Sequence, residues 1–158
     1  MPGQLEGQVA LVTGGASGIG RATALTFARG GAQLVIADMN EEGGQQTVYM
    51  ITEQGGNAVF ITTDVSQASE VQALISQTVT TYGRLDCAHN NAGVSSPIRA
   101  SIADYPEEEW HRVIAIHLTG VWLCMKYLCP CGTPGCQALM HLLDPLPGLF
   151  LLRGCPAV

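Results

Sequence analysis

TGGASGIG, residues Thr13 to Gly20, decides how the rest of this chain is read. It follows a run of apolar strand formers, QVALVT (Gln8–Thr13), and opens a helical pattern, GIGRATALTFARGG, that stops at Gly30 and Gly31. Small residues between a strand and a helix let backbone N–H groups approach a pyrophosphate. The helix N-terminus adds positive potential at the same place. The position of these glycines, more than their number, separates them from an ordinary tight turn.

Working outward, the same alternation repeats. AQLVIAD (Ala32–Asp38) reads as a second strand. Asn40 is a helix cap, and Glu41 and Glu42 fall in the first turn, where the helix dipole favours carboxylates. That helix stops near Gly55 and Gly56, and NAVFIT (Asn57–Thr62) is a third strand. Ser66 is expected to cap a third helix whose apolar face is Val71, Leu74, Ile75, Val79 and Tyr82, with Gly83 as its stop. LDCAHN (Leu85–Asn90) is a fourth strand. Pro106 fits the first turn of a long helix with a stripe of Trp110, Val113, Ile114, His117, Leu118, Val121 and Met125. Strands spaced by helices imply right-handed crossovers and a parallel sheet covered on both faces. The predicted fold is α/β, a Rossmann-like doubly wound sheet in which four strands are recognisable, in the order 3-2-1-4.

Composition narrows the function. A chain of 158 residues suits one domain, and 47% hydrophobic against 13% charged residues supports a packed core. The net charge of −6, with basic residues scattered, argues against a nucleic-acid partner. MPGQLEGQVALVTGG has no secretory-leader pattern, and LPGLFLL (Leu146–Leu152) is too short to span a bilayer. The expectation is a cytoplasmic protein without a membrane partner, its six cysteines carried as thiols.

Asp38 sharpens the reading of the glycine loop. It ends the second strand about twenty residues beyond the glycines, where a dinucleotide fold places the acid that binds ribose hydroxyls. A carboxylate there repels a 2′-phosphate, so NAD is expected in preference to NADP. The alternative role is capping the helix that follows.

At this point the chain resembles the short-chain dehydrogenase/reductase family. TGGASGIG is similar to that family's TGxxxGxG loop, DVS (Asp64–Ser66) to its adenine-flanking segment, NNAG (Asn90–Gly93) to its motif on the ribose and nicotinamide side, and IHLTGVWLCMKY to its long fourth helix. The likeness covers roughly Leu5 to Lys126. It implies nicotinamide dinucleotide as ligand and alcohol–ketone hydride transfer as the family's reaction. It also implies a cofactor site of Gly14, Ser17, Gly18, Ile19, Gly20, Asp38, Asp64, Val65, Asn91, Ala92 and Gly93. Residues 1–126 are read as the dinucleotide-binding half-domain.

No catalytic residue is assigned. The family uses a Tyr with a Lys four residues later, and a Ser about a dozen residues before the Tyr. The Tyr moves the proton at oxygen, and a free phenol near pKa 10 is a poor base at neutral pH. Lys126 is the one lysine, and the position four residues before it is Trp122. His117 falls where the family has an Asn. It reads equally as a working substitute and as a satisfied buried histidine.

From Tyr127 the pattern breaks. Residues 127–158 hold four cysteines and five prolines but two charged residues, and read as an irregular tail from a reading-frame shift or alternative exon. A zinc set of Cys129, Cys131, Cys136 and His141 is the weaker alternative, because the first spacing is CxC. The fourth strand is expected to be a sheet edge unless the tail covers it. Three functions follow: an impaired NAD-dependent oxidoreductase, a nucleotide-binding form that pairs with full-length subunits through its long helix, or a product of sequence error.

Overall fold

A computed structural model describes residues 3–128, 137–140 and 151–152. Strand β1 (Val9–Thr13) lies at the centre. It pairs in parallel with β2 (Gln33–Asp38) on one side and β4 (Cys87–Asn90) on the other, and β3 (Asn57–Thr62) extends the sheet beyond β2. The order 3-2-1-4 is the expected one, with helices α1 (Gly18–Arg29), α2 (Glu41–Thr52) and α3 (Ala68–Tyr82) between successive strands.

Period-2 alternation sends the central strand into two cores. Val9 and Leu11 join Val35, Ala37, Leu74, Leu85 and Leu128 on the face covered by α3 and the last helix. Ala10 and Val12 join Ala24, Leu34, Ile36 and Ile51 on the face covered by α1 and α2. Val9 to Val12 are completely buried, which explains why β1 reads as a continuous apolar run.

Local chemistry sets the ends. The Asn40 side chain accepts from the Gly43 N–H and caps α2 as expected. Gly83, at φ +77°, ends α3 in the left-handed conformation. Ser66 does not cap α3. The cap position is Gln67, while the Ser66 hydroxyl and N–H both bond Asp64 Oδ1 in a tight turn before the helix. The fourth strand starts at Cys87, two residues later than the sequence suggests; at Asp86 the backbone N–H still donates to the Val9 carbonyl at 2.9 Å, but the Val9 N–H is taken by the Asp86 side-chain Oδ2 at 2.8 Å.

The long helix departs from its expected stripe. It runs as α4 (Glu107–Ile114), a π-helical segment (Ala115–Gly120) and α5 (Val121–Leu128). An i→i+5 turn carries an extra residue and shifts which residues face the core. After it, Val121, Cys124 and Leu128 are buried, whereas Leu118 is 56% exposed and Met125 only half-buried. Trp110, placed on the stripe by its spacing, is 52% exposed.

β4 is not an edge. β5 (Gln137–Met140) pairs with it in parallel, from Cys87↔Gln137 to Asn90↔Met140, and β6 (Leu151–Leu152) adds antiparallel to β5. The stretch read as irregular therefore contributes strand at these positions. Cys129, Cys131, Cys136 and His141 lie outside the described residues.

Candidate functional site: the cleft at the carboxyl ends of β1 to β4

Four strands end at one cleft. Gly14, Asp38, Thr63, Asp64, Ala92 and Gly93 line a cavity of about 150 Å³ there, with Met39, Val65, Val94 and Ile116. Parallel sheets take ligands at this end, where strand order reverses about β1. A larger cavity, about 530 Å³, opens among Glu6, Arg29, Gln33 and Gln54. It sits at the amino ends of β2 and β3, away from the glycine loop, so the smaller cavity carries the site argument.

The glycines of the loop do different things. Gly14 has φ +67°, and a Cβ there would stand 2.8 Å from Ala92 Cα and 2.8 Å from Asn91 Nδ2. At Gly20 a Cβ would meet the Gly14 carbonyl oxygen, so α1 packs directly on the turn. Gly18 has φ +52° but no atom within 4 Å of a Cβ. The space over it is open, and Ser17, Gly18 and Ile19 are exposed. Ser17 is the N-cap of α1, and its side chain makes no capping bond. An exposed helix N-terminus with first-turn N–H groups that lack intrahelical acceptors suits an anion.

Asp38 fits the acid of such a site. Its Oδ2 accepts the Ala16 N–H at 3.0 Å and its Oδ1 the Asn40 N–H at 2.9 Å, so the carboxylate braces the loop. A carboxylate oxygen accepts more than one bond, which leaves acceptor capacity facing the cavity. Asp64 has a structural task too, because its Oδ1 holds the turn into α3 and its N–H donates to Glu70 Oε2 at 2.7 Å. Val65 is buried beneath it. A Cβ on Gly120 would come 2.9 Å from Val65 Cγ2, so only glycine lets the last helix lie this close.

Asn91 turns its amide away from the cleft. Its Nδ2 donates to the Thr13 and Gly14 carbonyls at 3.1 and 3.2 Å. Its backbone N–H and that of Ala92 both donate to Thr13 Oγ1, at 3.0 and 3.1 Å. Asn91 and Thr13 thus rivet the glycine loop to the end of β4. Thr13 stood in the motif as its first letter, but attention to glycine spacing passed over its buried hydroxyl.

Arg21 and Thr47 were also missed. Arg21 Nε donates to Thr47 Oγ1 at 2.9 Å, and its guanidinium reaches the Ala16 and Gly43 carbonyls. Thr47 in turn donates to the Gly15 carbonyl at 2.9 Å. The pair holds the loop from behind across α1 and α2. No local spacing signals it, because the two residues are 26 positions apart. His117 closes the far wall, with its Nε2 against the backbone of Val94.

The cleft lies where open parallel sheets take ligands, and comparison with known proteins identifies the family. The family model for short chain dehydrogenase matches residues 8–133. The chain belongs to that family. It is 44% identical over 124 residues to the short chain dehydrogenase/reductase astE of Aspergillus oryzae, covering 78% of this chain and 47% of that protein. It is likewise 44% identical over 124 residues to secoisolariciresinol dehydrogenase of Forsythia intermedia, covering 78% of this chain and 44% of that one. A crystal structure of a short-chain type dehydrogenase/reductase from Mycobacterium marinum superposes with a TM-score of 0.77 at 34% identity, covering 80% of this chain and 51% of that chain. The chain spans about half the length of the curated relatives it matches. Among the described residues, no helix is long and apolar enough to cross a membrane.

Proposed function

We propose that this chain holds NAD in the cleft and does not by itself complete the oxidoreductase reaction of its family. The observation that carries the reading is Asp38. Its carboxylate lines the cavity beside Gly14 while bracing Ala16 of the glycine loop. That placement suits two ribose hydroxyls and opposes a 2′-phosphate, which favours NAD over NADP. Ser17, Gly18, Ile19 and Gly20 face the pyrophosphate. Asp64 and Val65 flank the adenine. Ala92 and Gly93 border the nicotinamide side, and Asn91 acts behind them by fixing the loop. When bound, the nicotinamide supplies hydride chemistry; the residues here bind and orient it.

Turnover also needs a proton donor at the substrate oxygen. Lys126 Nζ stands 5.0 Å from the Trp122 ring centroid and 5.3 Å from that of Tyr127, a cation–π seat on its own helix. No tyrosine lies four residues before it. The purified 158-residue chain should therefore bind NADH more tightly than NADPH in fluorescence titration, yet oxidise no NADH on addition of ketones. Asp38→Ala should reduce the preference by about tenfold, the worth of about one charge-assisted hydrogen bond. Tighter binding of NADPH by the unaltered chain overturns the assignment of Asp38, and ketone-dependent turnover overturns the lack of catalysis.

A second reading concerns partners. Trp110, Leu118 and Trp122 are each more than half exposed along one helix. Such aromatic surface favours association. We infer that full-length family subunits pair with the chain through this helix, in the cytoplasm.

A further inference from the structure

His117 sits inside the π-helical segment with its ring against the 93–94 wall of the cleft. The Val94 N–H donates to His117 Nε2 at 2.9 Å, and the Val94 carbonyl oxygen lies 2.7 Å from that same nitrogen. One ring nitrogen cannot serve both. With Nε2 unprotonated it accepts from the N–H and leaves the carbonyl without this partner. With Nε2 protonated, in the imidazolium or in the neutral Nε2–H tautomer, it donates to the carbonyl and abandons the N–H. An amide side chain at this position has a separate donor and acceptor and can satisfy both groups together.

We propose that His117, whose neutral ring carries its proton on Nδ1, is a positioning residue that latches Val94 in one of two ways, accepting from its N–H when neutral and donating to its carbonyl when doubly protonated, and so sets the wall of the nucleotide cleft. Val94 and Gly93 both line the cavity, and a Cβ on Gly93 would stand 2.9 Å from the ring, so the wall follows the imidazole. The ionisable groups on the surrounding elements are Asp38 after β2, Asp64 after β3, Glu70 at the start of α3, Arg99 in the loop beyond Val94, and Glu109, His111 and Arg112 on α4. Glu70 is bonded to the Asp64 N–H, and Arg112 is paired with Glu109. Among the described residues, the ring's hydrogen bonds run to Val94.

The latch itself is independent of any ligand. Only its consequence rests on the nucleotide reading, so the two are tested separately. Amide and ring resonances of the ligand-free chain are followed by NMR between about pH 5.5 and about pH 8, the range in which imidazoles change charge. The Val94 amide proton should move upfield on acidification, with the midpoint of the His117 ring. The Ala92 amide, which donates to Thr13 Oγ1, should stay still. In His117→Asn the Val94 amide should hold its hydrogen-bonded position at every pH. In His117→Phe it should lack that position at every pH. NADH affinity should vary about threefold across the range in the unaltered chain and stay flat in His117→Asn, as expected for one exchanged hydrogen bond. A Val94 amide indifferent to the ring, or one that titrates equally in His117→Asn, overturns the latch. If Val94 follows the ring while NADH fails to bind at any pH, the latch stands and the nucleotide reading alone falls.

Discussion

Substituting alanine at Gly14 and at Gly18 separates the two tasks of the glycine loop. Both residues have positive φ, +67° and +52°. An L-residue held in the left-handed region costs about 1–2 kcal/mol, so both variants lose that much. Only at Gly14 does the new methyl also meet packed backbone, at 2.8 Å from Ala92 Cα and 3.0 Å from Ala92 N. Moving the NNAG segment off the loop adds about 1–3 kcal/mol, as overpacking does elsewhere. Gly14→Ala should therefore cost about 2–5 kcal/mol, a large part of a typical total of about 5–15 kcal/mol. At about 2–4 °C per kcal/mol for a chain of this size, the melting temperature falls about 4–20 °C for Gly14→Ala and about 2–8 °C for Gly18→Ala. Nucleotide binding should respond differently. The Gly18 methyl points into the open space over the loop, where we place the pyrophosphate, so this variant should lose NADH affinity while remaining folded. Circular-dichroism melts and fluorescence titration measure both quantities. A Gly14→Ala variant no less stable than Gly18→Ala would refute the packing of the loop on β4.

Other outcomes follow from single contacts. Thr13→Val removes the acceptor of the Asn91 and Ala92 N–H groups, and should cost about 1–3 kcal/mol in urea denaturation, with Thr13→Ser restoring most of it. Burial pushes the Cys124 thiol up from 9.0 to about 12, so the unfolded chain ionises this group first as pH rises; stability should then fall between about pH 9 and about 12. Tyr82, raised by burial as well, adds a loss of the same sign, and the slope of urea midpoint against pH should flatten in Cys124→Ala. If the exposed helix face pairs subunits, Trp122→Ser should abolish co-elution with a full-length family member in size-exclusion chromatography, while Ser17→Ala, at the N-cap of α1, leaves it intact.

Much of this fold could be read from the sequence because its decisive signals are local. The buried runs of β1 and β2, the Asn40 cap and the Gly83 stop each depend on a few adjacent residues, and each appears where expected. The glycine loop and Asp38 were legible for the same reason: a fixed distance along the chain becomes a fixed place across two neighbouring parallel strands. What stayed hidden is long-range. Arg21 and Thr47 support the loop across 26 residues, and Thr13 receives N–H groups from 78 and 79 residues away, through bonds that leave no periodic trace.

The last helix shows how a local signal can mislead. A stripe drawn at α-helical spacing from Trp110 to Met125 assumes one unbroken screw, about 100° per residue. The π-helical segment at Ala115–Gly120 adds a residue to the turn, and the buried face passes from Met125 to Cys124 and Leu128. Two close contacts surround the irregularity. Gly120 lies against Val65, where no side chain fits, and His117 bonds the backbone of Val94. In a regular helix Gly120 and His117, three residues apart, would stand about 60° apart on one face, and the wider turn of the π-helical segment spreads them further. Across the irregular turn the same helix meets Val65 through Gly120 and Val94 through His117. π-Bulges are frequent at functional sites, and the geometry here supplies the reason in this molecule: the helix departs from its regular screw to bound the cleft on two sides.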